Sequence, residues 1–424
     1  MSDFFMIDQR LRMLALRAEG KSAVRFQHIS ETAAQNGEKV LAAFIRNGVS
    51  ERHFNASTGY GYGDEGREKL DRVFADIVGA EDAIIRHSFA SGTHTLAVAL
   101  FGVLRPGDRM ISVTGGPYDT LHGVIGLKGE AGSGSLLDFG VKYEEIGLTA
   151  QGKPDLPAIA ESARGAKMVY IQRSRGYSLR PSLTVGQIGE IVRVVKEVDP
   201  SVIVMVDNCY GEFVETMEPT EVGADLMAGS LIKNPGGGIA PTGGYIAGRR
   251  DLVELCAGRM TAPGVGREIG ASLGHNRELY MGLFFAPQTV ENALKTACLA
   301  TTLFSLLGYT CYPAEDEPLA DIVAAIRLGT PERLIAFCRG IQSGAPVDAS
   351  AVPEPWDMPG YDSQVIMAAG AFTLGASIEL SADAPLREPY AVWLQGGLTY
   401  PTGRIGVLLA AQAMLDAGLL DEIS

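Results

Sequence analysis

A chain of 424 residues, 46% of them hydrophobic, exceeds the usual size of one core, so a large domain plus at least one smaller one is expected, with room to bury a ligand. Its 36 Lys and Arg stand against 50 Asp and Glu, a formal charge of -14 with no long basic run, which argues against nucleic acid and anionic membrane surfaces as partners. The apolar run at 95–104 is about half of the ~20 residues a bilayer-spanning helix needs, and no secretory leader is visible, so a cytoplasmic protein is expected. Cys209, Cys256, Cys298, Cys311 and Cys338 are odd in number and widely spaced, which suits reduced structural thiols.

In chain order, the first ~45 residues carry helical periodicity at Ile7, Leu11 and Leu14 and again at Val40, Ala43 and Phe44, and predict a helical arm over residues 1–55. A loop from Asn55 to Gly66 leads to an amphipathic helix at Arg67–Val78. Short β-rich runs then alternate with helical ones: Ala83–Ile85, helix Thr93–Leu104, Arg109–Val113, Met168–Gln172, helix Val185–Val198 and Ile203–Val206. That alternation predicts an α/β domain with a mainly parallel sheet over 56–285. Residues 286–424 read as a smaller C-terminal α/β domain, helical at Gln288–Leu307 and Glu317–Ala325 and β-like at Phe372–Leu380 and Tyr390–Leu394.

The strongest chemical signal is Val204-Met-Val-Asp-Asn208, an apolar strand that ends on Asp207, followed by Gly229-Ser-Leu-Ile-Lys-Asn-Pro-Gly-Gly-Gly238. A carboxylate at the carboxyl end of a buried strand sits where open α/β sheets bind ligands, and a lysine in a downstream Gly-rich loop can converge on the same crevice. Pyridoxal 5'-phosphate (PLP) chemistry needs this pair: an amine for a Schiff base, and an anion that keeps the pyridine nitrogen protonated. Lys233 must be partly neutral to attack, and its neighbours Leu231 and Ile232 suggest apolar surroundings that lower its proton affinity. Ser91-Gly-Thr-His-Thr95, between a short strand and an apolar helix, can aim backbone N–H groups and hydroxyls at a phosphate; Ser91 serving only as a helix cap is the plainer alternative. Ser230 offers another hydroxyl, and Tyr118, in the loop after the next strand, an aromatic face for a planar ring.

The order of small-residue turn, loop tyrosine, strand-end aspartate and Ser-x-x-Lys resembles fold-type I PLP enzymes of the Cys/Met-metabolism group. The closer likeness is to the aluminium resistance protein, or methionine gamma-lyase-like, branch. It is carried by Ser57-Thr-Gly-Tyr-Gly-Tyr-Gly-Asp-Glu-Gly-Arg67, Ser91–Thr95, Val206-Asp-Asn-Cys-Tyr-Gly-Glu-Phe-Val-Glu215, Lys233–Gly238, Pro353-Glu-Pro-Trp-Asp-Met-Pro-Gly360, Arg387-Glu-Pro-Tyr390 and Gln395-Gly-Gly-Leu-Thr-Tyr400. The resemblance implies an aspartate-aminotransferase-like fold and a PLP-dependent carbon-sulfur lyase acting on cystathionine, cysteine or methionine by α-proton abstraction and β- or γ-elimination. It assigns Lys233 to the Schiff base and proton shuttling, Asp207 to the pyridinium, Ser91, Gly92, Thr93 and Ser230 to the phosphate, and Tyr118 to stacking and catalysis. Related lyases use a Tyr-x-Arg to reach a neighbouring subunit's phosphate; Tyr60 and Tyr62 stand there, with Tyr62 in place of the arginine. A homotetramer built from dimers follows by the same resemblance.

A substrate carboxylate calls for a guanidinium, and the candidates are Arg387, Arg173, Arg175 and Arg404, with Arg387 favoured by its C-terminal, proline-flanked position. A PLP aminotransferase, or a PLP-binding protein with a stress-linked role and little turnover, are the alternatives. Gly61, Gly63 and Gly66 spell G-x-G-x-x-G without a preceding buried strand, and Ser230-Leu-Ile-Lys233 matches S-x-x-K without S-D-N or K-T-G after it. The six histidines are scattered, so no metal is expected.

Overall fold

The computed structural model describes residues 4–358 and 363–420. Gln35–Ala286 form one compact unit, and the described residues up to Ala34 and from Pro287 onward form the other. The last two residues of the Pro353–Gly360 segment lie outside the described residues.

Helices α1 (Gln9–Lys21) and α2 (Ala23–Arg46) open the chain. α3 (Glu65–Ile77), β1 (Asp82–Arg86) and α4 (Gly92–Val103) follow, then β2 (Arg109–Ser112), α5 (Asp119–Ile125), β3 (Lys142–Glu145), α6 (Leu156–Ala163), β4 (Met168–Gln172), α7 (Val185–Val198), β5 (Ile203–Asp207), β6 (Leu226–Ser230), β7 (Gly244–Gly248) and α8 (Arg250–Met260). These seven strands form one sheet in the order β1-β7-β6-β5-β4-β2-β3. From β3 to β6 every pairing is parallel, whereas β7 runs antiparallel to both β6 and β1. The sheet is therefore mixed, with a parallel centre as the alternation of elements predicts.

Local chemistry sets these elements. β4 and β5 are apolar at nearly every position and wholly buried, as parallel strands covered on both faces must be. α7 starts on a capping box: the Thr184 hydroxyl accepts from Gln187 N at 3.2 Å, and Gln187 Oε1 accepts from Thr184 N at 3.0 Å. α4 is apolar nearly all round because it is buried nearly all round. Gly102 on α4 lets α8 approach so closely that a Cβ there would stand 3.1 Å from the Cys256 Cα.

α9 (Asn276–Leu306) runs on past the larger unit. β8 (Thr310–Tyr312), β9 (Val323–Arg327), α10 (Pro331–Ser343), β10 (Val365–Ala368), β11 (Ser381–Pro385), β12 (Ala391–Gln395) and α11 (Tyr400–Asp416) complete the chain. The second sheet, β10-β11-β12-β9-β8, is antiparallel throughout. Its core joins Leu11, Ala15 and Ala18 of α1 to Phe304, Phe337, Ile326, Leu394 and Leu408.

Two expectations fail here. The helix at Glu317–Ala325 is absent: Val323, Ala324 and Ala325 belong to β9, which pairs with β8 and β12. The β-like stretch Phe372–Leu380 precedes β11 without joining it; Phe372 and Leu374 are exposed, and the Glu379 carboxylate accepts from Phe372 N and Thr373 N at 2.9 Å each.

Candidate active site

Parallel strands leave the carboxyl ends of β2, β4, β5 and β6 at one edge, and Asp207, Ser230 and the loop that carries Lys233 lie there. Asp207 ends β5, level with Gln172 on β4 and Ala228 on β6. Its carboxylate accepts from Cys209 N at 3.1 Å and from the Tyr170 hydroxyl at 3.3 Å. Burial pushes Asp207 up from the ordinary carboxylate range, opposed by Lys233, the Cys209 amide and the Tyr170 hydroxyl. Tyr170, fully buried on β4, thus fixes the carboxylate's direction.

Beyond Asp207 the chain bends through Tyr210 and Phe213, both non-glycine residues with left-handed backbones at φ 71° and 62°. The bend lays the Tyr210 ring 3.8 Å from Lys233 Nζ. Lys233 leaves β6 into a loop that only glycine can complete: a Cβ on Gly236 would stand 1.7 Å from the Leu231 carbonyl oxygen. The expectation of a lowered lysine is reversed. Burial does depress Lys233, but Cys209, Tyr210, Asp207 and Glu212 outweigh it and hold the ammonium well above the ordinary lysine value.

Ser91 caps α4, accepting from His94 N at 3.0 Å, so the plainer role assigned to it is filled. Gly92 follows, and a Cβ there would lie 3.4 Å from Ser230 Cβ and 3.8 Å from Cys209 Sγ, so the helix N-terminus, Ser230 and the Asp207 segment share one small space. Thr93 Oγ1 lies 2.7 Å from Thr120 Oγ1, tying α4 to the start of α5, where Tyr118 is the half-buried N-cap residue. Buried Ser230 Oγ, Gln172 Oε1 and Glu212 Oε2 have no hydrogen-bond partner among the described residues. Buried polar atoms are otherwise nearly always paired, so an oxygen-rich ligand at this edge fits: a phosphate against the α4 N-terminus and Ser230, and a protonated ring nitrogen against Asp207.

Glu212 was not singled out from the sequence. Its Oε1 accepts from Tyr245 OH at 2.7 Å, and burial pushes its carboxyl from the ordinary 4.5 to about 8. A carboxyl raised by folding stabilises the fold fully below its unfolded value and loses that contribution as pH climbs towards the folded one. The melting temperature of the cofactor-free protein is therefore expected to fall between about pH 5 and 8, and Glu212→Gln to flatten that slope; equal slopes in calorimetry would contradict it.

The arginine candidates separate clearly. Arg173 is fully buried and bonded to Asn208 Oδ1 at 2.9 Å and Glu215 Oε1 at 2.7 Å, which removes it from substrate binding. Arg173→Ala is expected to lower stability by about 3–5 kcal/mol in denaturant melts, with Asn208 Oδ1 losing its donor and Glu215 its counter-charge. Arg404 binds Glu19 at 2.8 Å, and Arg387 is exposed. Arg175 is buried in the larger unit. Tyr60 and Tyr62 are 69% and 70% exposed and stack on each other with ring centroids 5.4 Å apart. The G-x-G-x-x-G run lies in their loop, after the short 3-10 helix Glu51–Phe54 and not after a strand. All five cysteines are buried and free, and no helix among the described residues is long and apolar enough to cross a membrane.

The sequence profile of the family described as Methionine gamma-lyase matches residues 11–415. The chain belongs to the methionine gamma-lyase family. Its cofactor is pyridoxal 5'-phosphate, and its fold is the α/β fold of type I PLP enzymes. A Bacillus subtilis (strain 168) relative, the uncharacterized protein YnbB, is 46% identical over 421 residues, 99% of this chain and 100% of that one. A Clostridium novyi NT structure, described as a carbon-sulfur lyase involved in aluminum resistance, superposes with TM-score 0.92 at 48% identity, covering 96% of each chain. A Listeria monocytogenes structure, provisionally named a cystathionine beta-lyase involved in aluminum resistance, gives TM-score 0.93 at 48% identity over 95% of this chain and 99% of that one.

Proposed function

We propose that this methionine gamma-lyase family member is a carbon-sulfur lyase of a sulfur-containing amino acid, with cystathionine, cysteine and methionine as the substrates to try. The observation that carries the reading is the convergence of Lys233, Asp207 and the orphaned Ser230 Oγ at the N-terminus of α4. Pyridoxal 5'-phosphate supplies an aldehyde carbon and a ring able to take up the electron pair left on the substrate α-carbon.

The residues divide the remaining work. Ser91, Gly92, Thr93 and Ser230 would hold the phosphate, and Tyr118 would cover the ring face. Asp207, oriented by Tyr170 and Cys209 N, keeps a proton on the ring nitrogen. Lys233 would provide the amine that holds the cofactor, and its Nζ, when free, would receive the α-proton of the substrate. The same Nζ, or the Tyr118 hydroxyl, would return a proton to the departing sulfur as the carbon-sulfur bond breaks and its electron pair leaves with the thiol; where the sulfur is on the γ-carbon, as in methionine, a β-proton must be removed first. Acid neighbours that favour the ammonium on Lys233 suit a group that must hold a proton between those two events. Tyr60 and Tyr62 are proposed to contact a second copy of the chain in a homo-oligomer.

The test is incubation with L-cystathionine, L-cysteine and L-methionine, following thiol or sulfide together with the keto acid. Equimolar release of both supports the lyase. A keto acid formed only when an amino-group acceptor is added, with sulfur retained in the product, would replace it with transamination.

A further inference from the structure

Four arginines are buried in the larger unit, and in three of them the terminal nitrogens are held by protein groups, although Arg67 and Arg86 each keep a buried Nε without a partner. Arg67 donates to the carbonyls of Gly61 and Gly270, Arg86 holds Asp71 through both terminal nitrogens, and Arg173 holds Asn208 and Glu215. Arg175 is 4% exposed, and its Nε and Nη1 are buried without any hydrogen-bond partner among the described residues. A guanidinium cannot escape by losing its proton, and a buried cation without a counter-charge is among the costliest arrangements a fold can hold.

The position of Arg175 points to what offsets that cost. It lies three residues past the end of β4, at the same strand edge as Asp207. The Arg175 backbone is fixed, its N–H donating to Ser182 Oγ at 3.1 Å and its carbonyl accepting from Ser178 Oγ at 2.7 Å. The next residue, Gly176, is pressed against the ring of Tyr118: a Cβ there would meet Tyr118 Cδ2 at 3.3 Å and Gln172 Nε2 at 3.2 Å. Tyr177 brings its ring within 5.8 Å of the Tyr118 ring. Gln172, in the same turn, keeps a buried acceptor, Oε1, without a donor. An arginine with two unpartnered donors and a glutamine with an unpartnered acceptor thus stand in the segment that packs on the tyrosine proposed to cover the cofactor.

We infer that Arg175 is the anion-reading residue of the larger unit, its guanidinium taking an anionic oxygen of the bound ligand. The inference rests on the proposed cofactor site, and two oxygens have this chemistry: the α-carboxylate of the amino acid and the phenolic oxygen of the PLP ring.

Holoprotein and its Arg175→Met and Arg175→Lys variants would be titrated with L-alanine and with ethylamine, which lacks the carboxylate; neither contains sulfur, so the readout is independent of lyase activity. If Arg175 reads the substrate, wild type prefers alanine and Arg175→Met reduces that preference roughly 10- to 100-fold, with Arg175→Lys between. If it reads the ring oxygen, the alanine preference is unchanged, while the pH at which the resting absorbance of the holoprotein changes moves by about one unit or more. In either case the cofactor-free Arg175→Met protein melts close to wild type, since neither Nε nor Nη1 has a protein partner to lose. A variant with unchanged ligand preference and unchanged absorbance midpoint would overturn the inference, as would a cofactor-free Arg175→Met protein that melts well below wild type. Failure to cleave any carbon-sulfur bond would count against the lyase reading alone.

Discussion

Lys233→Ala is expected to lower turnover by roughly 10⁴-fold or more, because one nitrogen both bonds the cofactor and moves the α-proton. The loss should be purely chemical. The variant removes a buried ammonium from among Cys209, Tyr210, Asp207 and Glu212, and the two carboxylic acids can relax by taking up protons. Circular dichroism and gel filtration should match wild type, and the phosphate cradle of Ser91, Gly92, Thr93 and Ser230 should still retain cofactor reversibly. Lys233→Arg keeps the positive charge but offers no neutral amine, so it is expected to be equally inactive. An arginine variant with substantial turnover would mean that charge alone matters at this position.

Asp207→Asn is expected to cost about 10²–10⁴-fold in kcat, with a much smaller change in KM. The carboxylate matters through its charge on the ring nitrogen as electrons arrive from the α-carbon, not through ground-state binding. Burial raises Asp207 while the facing Lys233 ammonium opposes that rise, so in the cofactor-free variant the relief of a desolvated anion is offset by a less compensated Lys233. Loss of stability with kcat unchanged would make Asp207 a structural residue. A companion substitution, Tyr170→Phe, removes the hydroxyl that orients Asp207 and should lower kcat less, by about tenfold.

Where the fold was readable, its elements carry their own period and punctuation. β4, β5 and α7 lie where Met168–Gln172, Ile203–Val206 and Val185–Val198 predict them, because a buried parallel strand is an unbroken apolar run and α7 has a capping box. β6 and β7 are missed: Leu-Met-Ala-Gly-Ser and Gly-Tyr-Ile-Ala-Gly hold little β-branched character, and the sheet imposes the strand. β3, Lys-Tyr-Glu-Glu, is missed because an edge strand can be polar. β9 is mistaken for helix since Ile-Val-Ala-Ala-Ile has no period that separates a buried strand from a buried helix turn.

The site divides in the same way. Asp207, Lys233 and the Ser91 turn are legible because each sits at a punctuation point, a strand end or a glycine-rich bend. The proton affinity of Lys233 was not, since Leu231 and Ile232 are neighbours in sequence while the acids that govern it arrive from the far end of β5. Glu212 and Tyr210 needed the left-handed bend after Asp207, which no local pattern announces. Arg173 and Arg175 look alike in sequence two residues apart; only the fold gives one Asn208 and Glu215 and leaves Nε and Nη1 of the other without a partner.

The most direct test of the site is reduction of the holoprotein with borohydride followed by peptide mapping. The account predicts a resting band near ~420 nm that borohydride bleaches, with the cofactor's mass fixed to the peptide containing Lys233. A cofactor fixed to another lysine, or a Lys233→Ala protein that keeps the bleachable band, would contradict it.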